Sequence, residues 1–303
     1  MKEDMKNEDM QGKVVVMTGA TSGIGQVAAE SLAAMGARIV QVARDRGRGE
    51  AAVQRLREIG PGLAHGIHYA DLSRLGEMKR VGAEIAAAER RIDVLVNNAG
   101  ALFSSRQVVE GLERTFALNH LSYFVLAHAL RERLVASAPA RVVNTASDAH
   151  RGATLDFDDL QSVKAYRSTF AEWLRCLPQG GPGFKVYGRS KLCNILFTRE
   201  LARRLDGTGV TANSLHPGFV ATRFGNESGG LISFGVRIAK RFALTPQQGA
   251  ETLVHLASSP EVAGVTGAYF HRCRPATPTR EAQDDTAARR LWVETARLAG
   301  LEN

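Results

Sequence analysis

The chain has 303 residues, of which 44% are hydrophobic and 23% are charged, a composition typical of globular rather than disordered proteins. It contains no run of about 18 apolar residues, so no membrane-spanning helix is expected. The polar start MKEDMKNEDM lacks the apolar run of a signal peptide, and we therefore expect a cytoplasmic protein.

The net charge and the cysteine spacing indicate which classes of ligand the protein can bind. A net charge of +8 favours acidic ligands such as nucleotide phosphates. It also permits nucleic-acid binding, but no basic run with interleaved aromatic residues supports that class, so no nucleic acid is expected. The three cysteines, at 176, 193 and 273, lack the spacing of a zinc site, so we expect no metal.

Short β-branched runs alternate with helical patterns along the chain, after a polar stretch at 1–11 that is expected to be a flexible tail. Strands are predicted at 13–17, 37–43, 67–70, 92–96, 141–145, 210–214 and 267–270. Helices are predicted at 23–35, 49–59, 73–89, 110–136, 187–205, 246–257 and 280–298. This alternation predicts an α/β protein: a single Rossmann-type, doubly wound domain over 12–303, with about seven parallel strands flanked by helices. Segments at about 148–186 and 219–245 match no regular element, and loops of that length are usually functional or disordered.

A glycine-rich turn joins the first strand to the first helix. Its sequence runs from Thr18 to Gly25 as TGATSGIG, with glycines at 19, 23 and 25. Glycines permit a tight turn and a close backbone approach, and the following helix N-terminus presents N–H groups to a pyrophosphate. A purely structural turn is the alternative, but the position after a strand and before a helix is the one that a nucleotide-binding turn requires.

Further motifs follow this turn in order. Asp71-Leu72 follows the third strand, Asn97-Asn98-Ala99-Gly100 the fourth, and Pro217-Gly218, with Val220 and Thr222, the sixth; Tyr187 and Lys191 form a YxxxK motif. With these motifs, residues 13–300 resemble the short-chain dehydrogenase/reductase family. LNHLSYF (118–124), VVNTASDAH (142–150) and YGRSKLCNILFTRELARRL (187–205) resemble its retinol dehydrogenase branch, although the N-terminal membrane anchor of many retinol dehydrogenases is not expected here.

The resemblance implies a nicotinamide cofactor and the residues that contact it. These are Gly19, Thr21, Ser22, Gly23, Ile24, Gly25, Arg44, Asp71, Leu72, Asn98, Ala99, Gly100, Tyr187, Lys191, Pro217, Gly218, Val220 and Thr222.

The end of the second strand indicates which nicotinamide cofactor is used. NAD-dependent relatives place an acidic residue there for the ribose 2′-hydroxyl, but this chain has Ala43 followed by Arg44. A guanidinium can bind a 2′-phosphate through two hydrogen bonds, so the sequence predicts NADP(H), with Arg46 and Arg48 as further candidates. The alternatives are that these arginines are only solvated, or that Asp45 pairs with Arg44.

The YxxxK motif supplies the candidate catalytic groups. Tyr187 and Lys191 are four residues apart and therefore lie on one helix face. A nearby ammonium is expected to lower the tyrosine pKa toward neutrality, so that Tyr187 acts as general acid and base. By resemblance, Ser147 holds the substrate oxygen, and the backbone carbonyl of Asn119 holds a water that links Lys191 to solvent. An ordinary buried amide is the alternative for Asn119.

The segment before the motif is unusually long, with 39 residues between Ser147 and Tyr187. An apolar cluster at about 170–183, followed by Phe184, predicts either a flap over the substrate or packing on the core or on a second subunit in a homodimer. Apolar residues at 155, 157, 170, 173, 219, 224, 231, 232 and 234 indicate a sizeable apolar aldehyde, ketone or alcohol as substrate. Four cations in the same segments leave room for one anionic group on it: Arg151, Lys164, Arg167 and Arg223.

Two functions remain open at this stage. The favoured one is an NADP(H)-dependent carbonyl reductase or alcohol dehydrogenase. The alternative is a non-catalytic NADP(H)-binding redox sensor on the same fold. The complete set of Asn119, Ser147, Tyr187 and Lys191 favours the enzyme, because a sensor does not need a proton donor.

Overall fold

The computed structural model describes residues 9–167, 181–218 and 244–301. The strands are β1 (Val14–Thr18), β2 (Arg38–Ala43), β3 (Gly66–Tyr69), β4 (Val94–Asn97), β5 (Val108–Val109), β6 (Leu112–Glu113), β7 (Ala140–Thr145), β8 (Val210–His216), β9 (Tyr269–His271) and β10 (Arg274–Pro275). The helices are α1 (Gly23–Ala34), α2 (Arg46–Ile59), α3 (Leu75–Ala88), α4 (Arg114–Phe116), α5 (Ser122–Ala129), α6 (Arg131–Ala136), α7 (Val163–Tyr166), α8 (Gly181–Arg204), α9 (Pro246–Ser258) and α10 (Asp285–Ala299).

One sheet organises the protein, in the order β10-β9-β8-β7-β4-β1-β2-β3. Its strands are parallel except for the two-residue β10, which pairs antiparallel with β9. The predicted doubly wound α/β fold is therefore confirmed, with eight strands instead of about seven because of β10. The strand order reverses between β1 and β4, and ligands of such sheets bind beyond the carboxyl ends of the strands at this reversal.

Both faces of the sheet are covered by helices. In β1, Val16 packs into a cluster with residues of α3, α5 and α8, whereas Val15 and Met17 pack into a second cluster with residues of α1 and α9. Successive side chains of a strand point to opposite faces, so a strand buried on both sides needs an uninterrupted apolar run. This is why β1 reads VVVMT rather than alternating apolar and polar residues.

The predicted helix at 110–136 was wrong in its first turn. Residues 108–113 instead form a hairpin of β5 and β6, and α4 begins at Arg114. The hairpin turn has Glu110 at φ 52° and Gly111 at φ 79°, and both residues of a tight two-residue hairpin turn can adopt positive φ. Glu113 then accepts hydrogen bonds from the first backbone N–H groups of the helix.

The predicted helix at 187–205 was too short, because α8 begins at Gly181. Pro182 is compatible with this start, since the first N–H groups of a helix have no partner within it. At Gly183 a Cβ atom would lie 2.3 Å from the Phe103 carbonyl oxygen, so glycine lets the helix start pack against the segment after β4.

The described N-terminal residues also differ from the predicted tail at 1–11. Met10 is buried, and its N–H donates to the Met35 carbonyl oxygen at 3.0 Å. Residues 1–8 lie outside the described part of the chain. None of the helices in the described residues combines the length and the apolar character needed to span a membrane.

Candidate active site

The glycine turn after β1 leaves almost no room for side chains. Gly19 and Gly23 have φ values of 69° and 57°, a region that favours glycine. A Cβ atom on Gly25 would lie 2.1 Å from the Gly19 carbonyl oxygen, and one on Gly19 would lie 2.9 Å from the Ala99 backbone. The glycine turn therefore packs directly against the backbone of the segment after β4. A turn without side chains is also what allows a pyrophosphate to approach the backbone closely.

The first turn of α1 is open toward the same edge of the sheet. Ser22 is the N-cap residue, and its side chain makes no capping hydrogen bond in the described structure. Thr21 is half-buried beside it, and Ile24 packs against the core, which anchors the turn. The N–H groups of this first turn can therefore bind anionic oxygens.

The NNAG segment after β4 is bonded directly to the glycine turn. Asn98 Nδ2 donates to the carbonyl oxygens of Thr18 (3.3 Å) and Gly19 (3.2 Å). The Thr18 hydroxyl in turn accepts from the N–H groups of Asn98 (2.9 Å) and Ala99 (3.0 Å). Thr18 was missed in the sequence analysis, although a buried hydroxyl at the end of an apolar strand was a visible signal.

The three arginines after β2 have different surroundings. The Arg46 guanidinium lies 4.7 Å above the centre of the Tyr69 ring. Arg48 lies 3.6 Å from Asp45, whose carboxylate also caps α2. Exposed Arg44 has no hydrogen bond or ion pair with any residue in the described ranges. The predicted alternative of an Asp45–Arg44 pair is therefore not what the structure contains.

Asp71 and Leu72 follow β3 at the same edge of the sheet. Leu72 is buried, and the Asp71 carboxylate accepts hydrogen bonds from the backbone and hydroxyl of Ser73, at 3.0 and 2.8 Å. Burial alone would raise the pKa of Asp71, but these hydrogen bonds outweigh it and, with nearby Arg44, lower that pKa. Arg44 and Asp71 therefore lie close enough at this edge of the sheet for their charges to interact.

Helix α8 carries Tyr187 and Lys191 into the protein interior. The Lys191 ammonium nitrogen donates to the Thr145 carbonyl oxygen at 2.9 Å and lies 5.6 Å from the centre of the Tyr187 ring. A Cβ atom on Gly100 would lie 3.4 Å from the same nitrogen, so the NNAG segment borders Lys191. Ser147 follows β7 and lies within hydrogen-bonding reach of Tyr187.

The pKa values at the site differ from the expectation. Burial raises the pKa of Tyr187 to about 12, and the hydrogen bond with Ser147 opposes this only partly. Burial also lowers the pKa of Lys191 to about 7, so this lysine carries less than a full charge at neutral pH. The prediction that the Lys191 ammonium lowers the pKa of Tyr187 is therefore wrong for the protein without cofactor. Burial is the largest influence on the pKa of both groups.

Asn119 is buried, and its side-chain amide is hydrogen-bonded to two parts of the site. It lies in a widened turn, Ala117–Leu121, between α4 and α5. Its amide exchanges two hydrogen bonds of 2.9 Å with the backbone of Ala101 and donates to the Ser190 hydroxyl at 3.0 Å. Ser190 donates onward to the Tyr187 carbonyl oxygen at 2.7 Å. Asn119 thereby links the segment after β4 to the helix that carries Tyr187, and Ser190 was missed in the sequence analysis.

The turn after β8 is described only in part. Gly218 has a φ of 86°, and its N–H donates to His216 Nδ1 at 3.0 Å. Pro217 lies between them. Predicted contacts Val220 and Thr222 lie outside the described residues.

The predicted substrate side is also described in part. Leu155 lines a small cavity of about 10 Å³ between residues 155–162 and α8, whose lining includes Val186 and Ser190. Phe157 was predicted to line the substrate pocket, but its ring lies 4.4 Å below the Arg290 guanidinium and packs on the core. Phe184 is 39% exposed, with its ring centre 6.2 Å from that of Tyr187. Residues 170–180 of the predicted flap, and the predicted apolar positions 219, 224, 231, 232 and 234, lie outside the described residues.

Comparison with known families gives two matches along the chain. The profile of the short chain dehydrogenase family matches residues 13–157. A profile described as enoyl-(acyl carrier protein) reductase matches residues 176–272.

Similar curated proteins cover nearly the whole chain. Human retinol dehydrogenase 14 is 39% identical over 96% of this chain and 88% of its own length. Human retinol dehydrogenase 13 is 39% identical over 96% and 86%, and human retinol dehydrogenase 12 is 37% identical over 97% and 89%.

Solved structures share the fold. An uncharacterised protein from Mycobacterium paratuberculosis superposes with a TM-score of 0.74 at 28% identity, covering 98% of this chain and 97% of that one. The complex of RhlG from Pseudomonas aeruginosa with NADP superposes with a TM-score of 0.66 at 27% identity, covering 86% and 95%.

Proposed function

Because the chain belongs to the short-chain dehydrogenase/reductase family, in its retinol dehydrogenase-like branch, we propose that it uses NADP(H) to interconvert a carbonyl and an alcohol on a sizeable apolar substrate. Family membership already makes it an oxidoreductase for alcohol or carbonyl groups with a nicotinamide cofactor. The observation that carries the proposal is that Tyr187, Lys191 and Ser147 lie together, next to the NNAG segment that contacts the glycine turn.

The residues around the glycine turn fit a dinucleotide. The turn has no Cβ atoms where backbone segments meet, and the first turn of α1 has uncapped N–H groups for a pyrophosphate. Bound NADPH supplies the hydride. Pro217 and Gly218 are assigned to its nicotinamide end, and Asp71 and Leu72 to its adenine end.

Tyr187 is assigned as the proton donor for carbonyl reduction. With a pKa near 12, its hydroxyl is protonated at neutral pH and can donate to a carbonyl oxygen that becomes an alkoxide. Ser147 orients the same oxygen through its hydroxyl. Lys191, with a pKa near 7, can take up or release a proton at physiological pH, and its nitrogen lies 5.6 Å from the centre of the Tyr187 ring. We assign it to return a proton to Tyr187 through a bridging water.

The preference for NADPH over NADH rests on Arg44. Arg46 and Arg48 are engaged with Tyr69 and Asp45, whereas Arg44 is exposed and has no ion-pair partner within the described residues. Ala43, directly before it, provides no carboxylate that would repel a 2′-phosphate. Charge-assisted hydrogen bonds to such a phosphate would favour NADPH.

The substrate class rests on the surroundings of Tyr187. Phe184 lies one helical turn before Tyr187 and exposes an aromatic surface beside it. Two cations of the segment before α8 are paired, Arg151 with Asp148 at 2.6 Å and Lys164 with Asp156 at 3.0 Å. An uncharged substrate with an apolar body therefore suits the site better than an anionic one.

The test is NADPH oxidation with a panel of small and large aldehydes and ketones, with NADH in parallel. We expect turnover with NADPH that increases with the apolar size of the substrate. The variant Tyr187→Phe should lose about 10²–10⁴-fold in kcat while its NADPH affinity stays near that of the wild type, because only the hydroxyl is removed.

Two results would contradict the proposal. NADPH binding without turnover of any carbonyl, unchanged by Tyr187→Phe, would favour the redox-sensor alternative. Equal rates with NADH and NADPH would remove the assigned role of Arg44.

A further inference from the structure

The turn after β8 is held by a histidine side chain. His216 is the last residue of β8, and its Nδ1 atom accepts the N–H of Gly218 at 3.0 Å. Gly218 adopts a φ of 86°, and a Cβ atom there would lie 2.4 Å from Leu244 Cδ1. The path of the backbone through Pro217 is therefore fixed by the histidine on one side and by close packing on the other.

The His216 ring is held in the state that this hydrogen bond requires. Because Nδ1 accepts, the ring is neutral with its proton on Nε2. The ring stacks on His271 of β9, with centroids 4.4 Å apart and an interplanar angle of 25°.

The charged and titratable neighbours are consistent with a neutral ring. Burial, followed by His271, lowers the pKa of His216 to about 4, and His150 and Arg151 act in the same direction. Asp148 opposes them. The Nδ1 lone pair therefore remains available at neutral pH.

We propose that His216 is a positioning residue for the nicotinamide end of the cofactor, because its hydrogen bond from Gly218 fixes the Pro217–Gly218 turn before the cofactor binds. This inference rests on the proposed function, which assigns that turn to the cofactor. A turn that is already ordered loses less conformational entropy on binding, so affinity is higher than for a turn that must become ordered. His216 itself touches no reacting atom in this scheme.

Two substitutions separate the hydrogen bond from the packing of the ring. His216→Leu fills much of the ring volume against His271 but offers no acceptor. His216→Asn is smaller, yet its side-chain oxygen can accept an N–H two residues along the chain, as in an Asx turn. If the hydrogen bond matters, Leu is the worse replacement; if only packing matters, Asn is the worse one.

The measurement is the NADPH dissociation constant by fluorescence titration, with NADPH KM and kcat on the best aldehyde. We expect His216→Leu to raise the dissociation constant and KM by about 2–10-fold, the range of one ordinary hydrogen bond, and His216→Asn to stay within about twofold of the wild type. Thermal unfolding of each variant checks that it is folded. If His216→Leu does not fold, His216→Ala is compared with His216→Asn, since both leave a gap against His271.

Each outcome decides the inference. Weaker NADPH binding in the variants without an acceptor, restored in His216→Asn, supports it. Tight wild-type binding with equal affinity in all variants, or a larger loss in His216→Asn than in His216→Leu, overturns the inference alone. Failure of the wild type to bind NADPH overturns the proposed function and this inference together.

Discussion

Adding one methyl group at Gly25 tests whether the glycine turn is as tightly packed as the structure indicates. In Gly25→Ala the new Cβ atom would lie 2.1 Å from the Gly19 carbonyl oxygen and 2.5 Å from Asn98 Nδ2. An ordinary contact needs at least 3.4 Å, so the turn would have to open by more than an ångström. Overpacking of this kind typically costs about 1–3 kcal/mol of folding stability. Such a displacement should also break a backbone hydrogen bond to the pyrophosphate. A hydrogen bond to a charged group is worth about 1.5–3 kcal/mol, so NADPH binding should weaken by about tenfold or more.

Gly76→Ala is the matched control, because it makes the same chemical change at an exposed glycine in the first turn of α3. A Cβ atom there would meet no heavy atom within 4 Å. This variant should be stabilised by about 0.4–1 kcal/mol, because alanine restricts the unfolded chain more than glycine does. Thermal unfolding and NADPH titration of both variants provide the assay. A Gly25→Ala protein with the Tm and NADPH affinity of Gly76→Ala would refute the reasoning.

Two further predictions concern Arg44 and Lys191. Arg44→Ala should raise the NADPH KM by about tenfold or more and leave the NADH KM unchanged, because a charge-assisted hydrogen bond is worth about 1.5–3 kcal/mol. Arg48→Ala is the control and should change neither KM. Equal effects of the two variants would contradict the assignment of Arg44. Burial lowers the pKa of Lys191 from 10.5 to about 7. Between these two pH values the unfolded chain binds a proton that the folded protein has released. The contribution of Lys191 to the free energy of unfolding therefore falls as the pH decreases from 10.5 to 7. The Tm of Lys191→Met should therefore exceed that of the wild type near pH 7, and this excess should disappear toward pH 10. A Tm difference between the two proteins that does not vary with pH would contradict the burial of this lysine.

Most of the sheet was predictable because its strands are buried on both faces. Runs such as VVVMT in β1 and VLVN in β4 are too apolar and too β-branched for an exposed segment, and each is followed by a polar or glycine-rich turn. The glycine-rich turn between β1 and α1 was predictable for a related reason, since glycine positions at a strand–helix junction depend on local backbone geometry. Local geometry is the part of structure that sequence spacing encodes directly.

The errors came from features that depend on tertiary contacts. The hairpin turn at Glu110-Gly111 lies between helix-forming residues, and helical periodicity concealed it. The early start of α8 depends on the contact of Gly183 with Phe103, which lies far away in sequence. The pKa of Tyr187 was misjudged because spacing places Lys191 on the same helix face but does not report how completely both groups are removed from water.

Helix α8 is one of the most buried elements of the described chain, so we expect it to resist local unfolding. The backbone amides at Tyr187 and Lys191 lie in a helix that packs against the 3₁₀ turn Asp148–Gly152 after β7, against β8 and against α10. Their hydrogen exchange should therefore require unfolding of the whole domain. Arg44, between β2 and α2, is exposed, as are Arg46 and Arg48 in the first turn of α2. We therefore expect this segment to open at a lower free energy than α8. The proposed catalytic groups and the arginine proposed to select the cofactor therefore lie in regions that we expect to differ in local stability. We expect substitutions around Arg44 to cost little folding stability, whereas substitutions at Tyr187 or Lys191 would disturb the core.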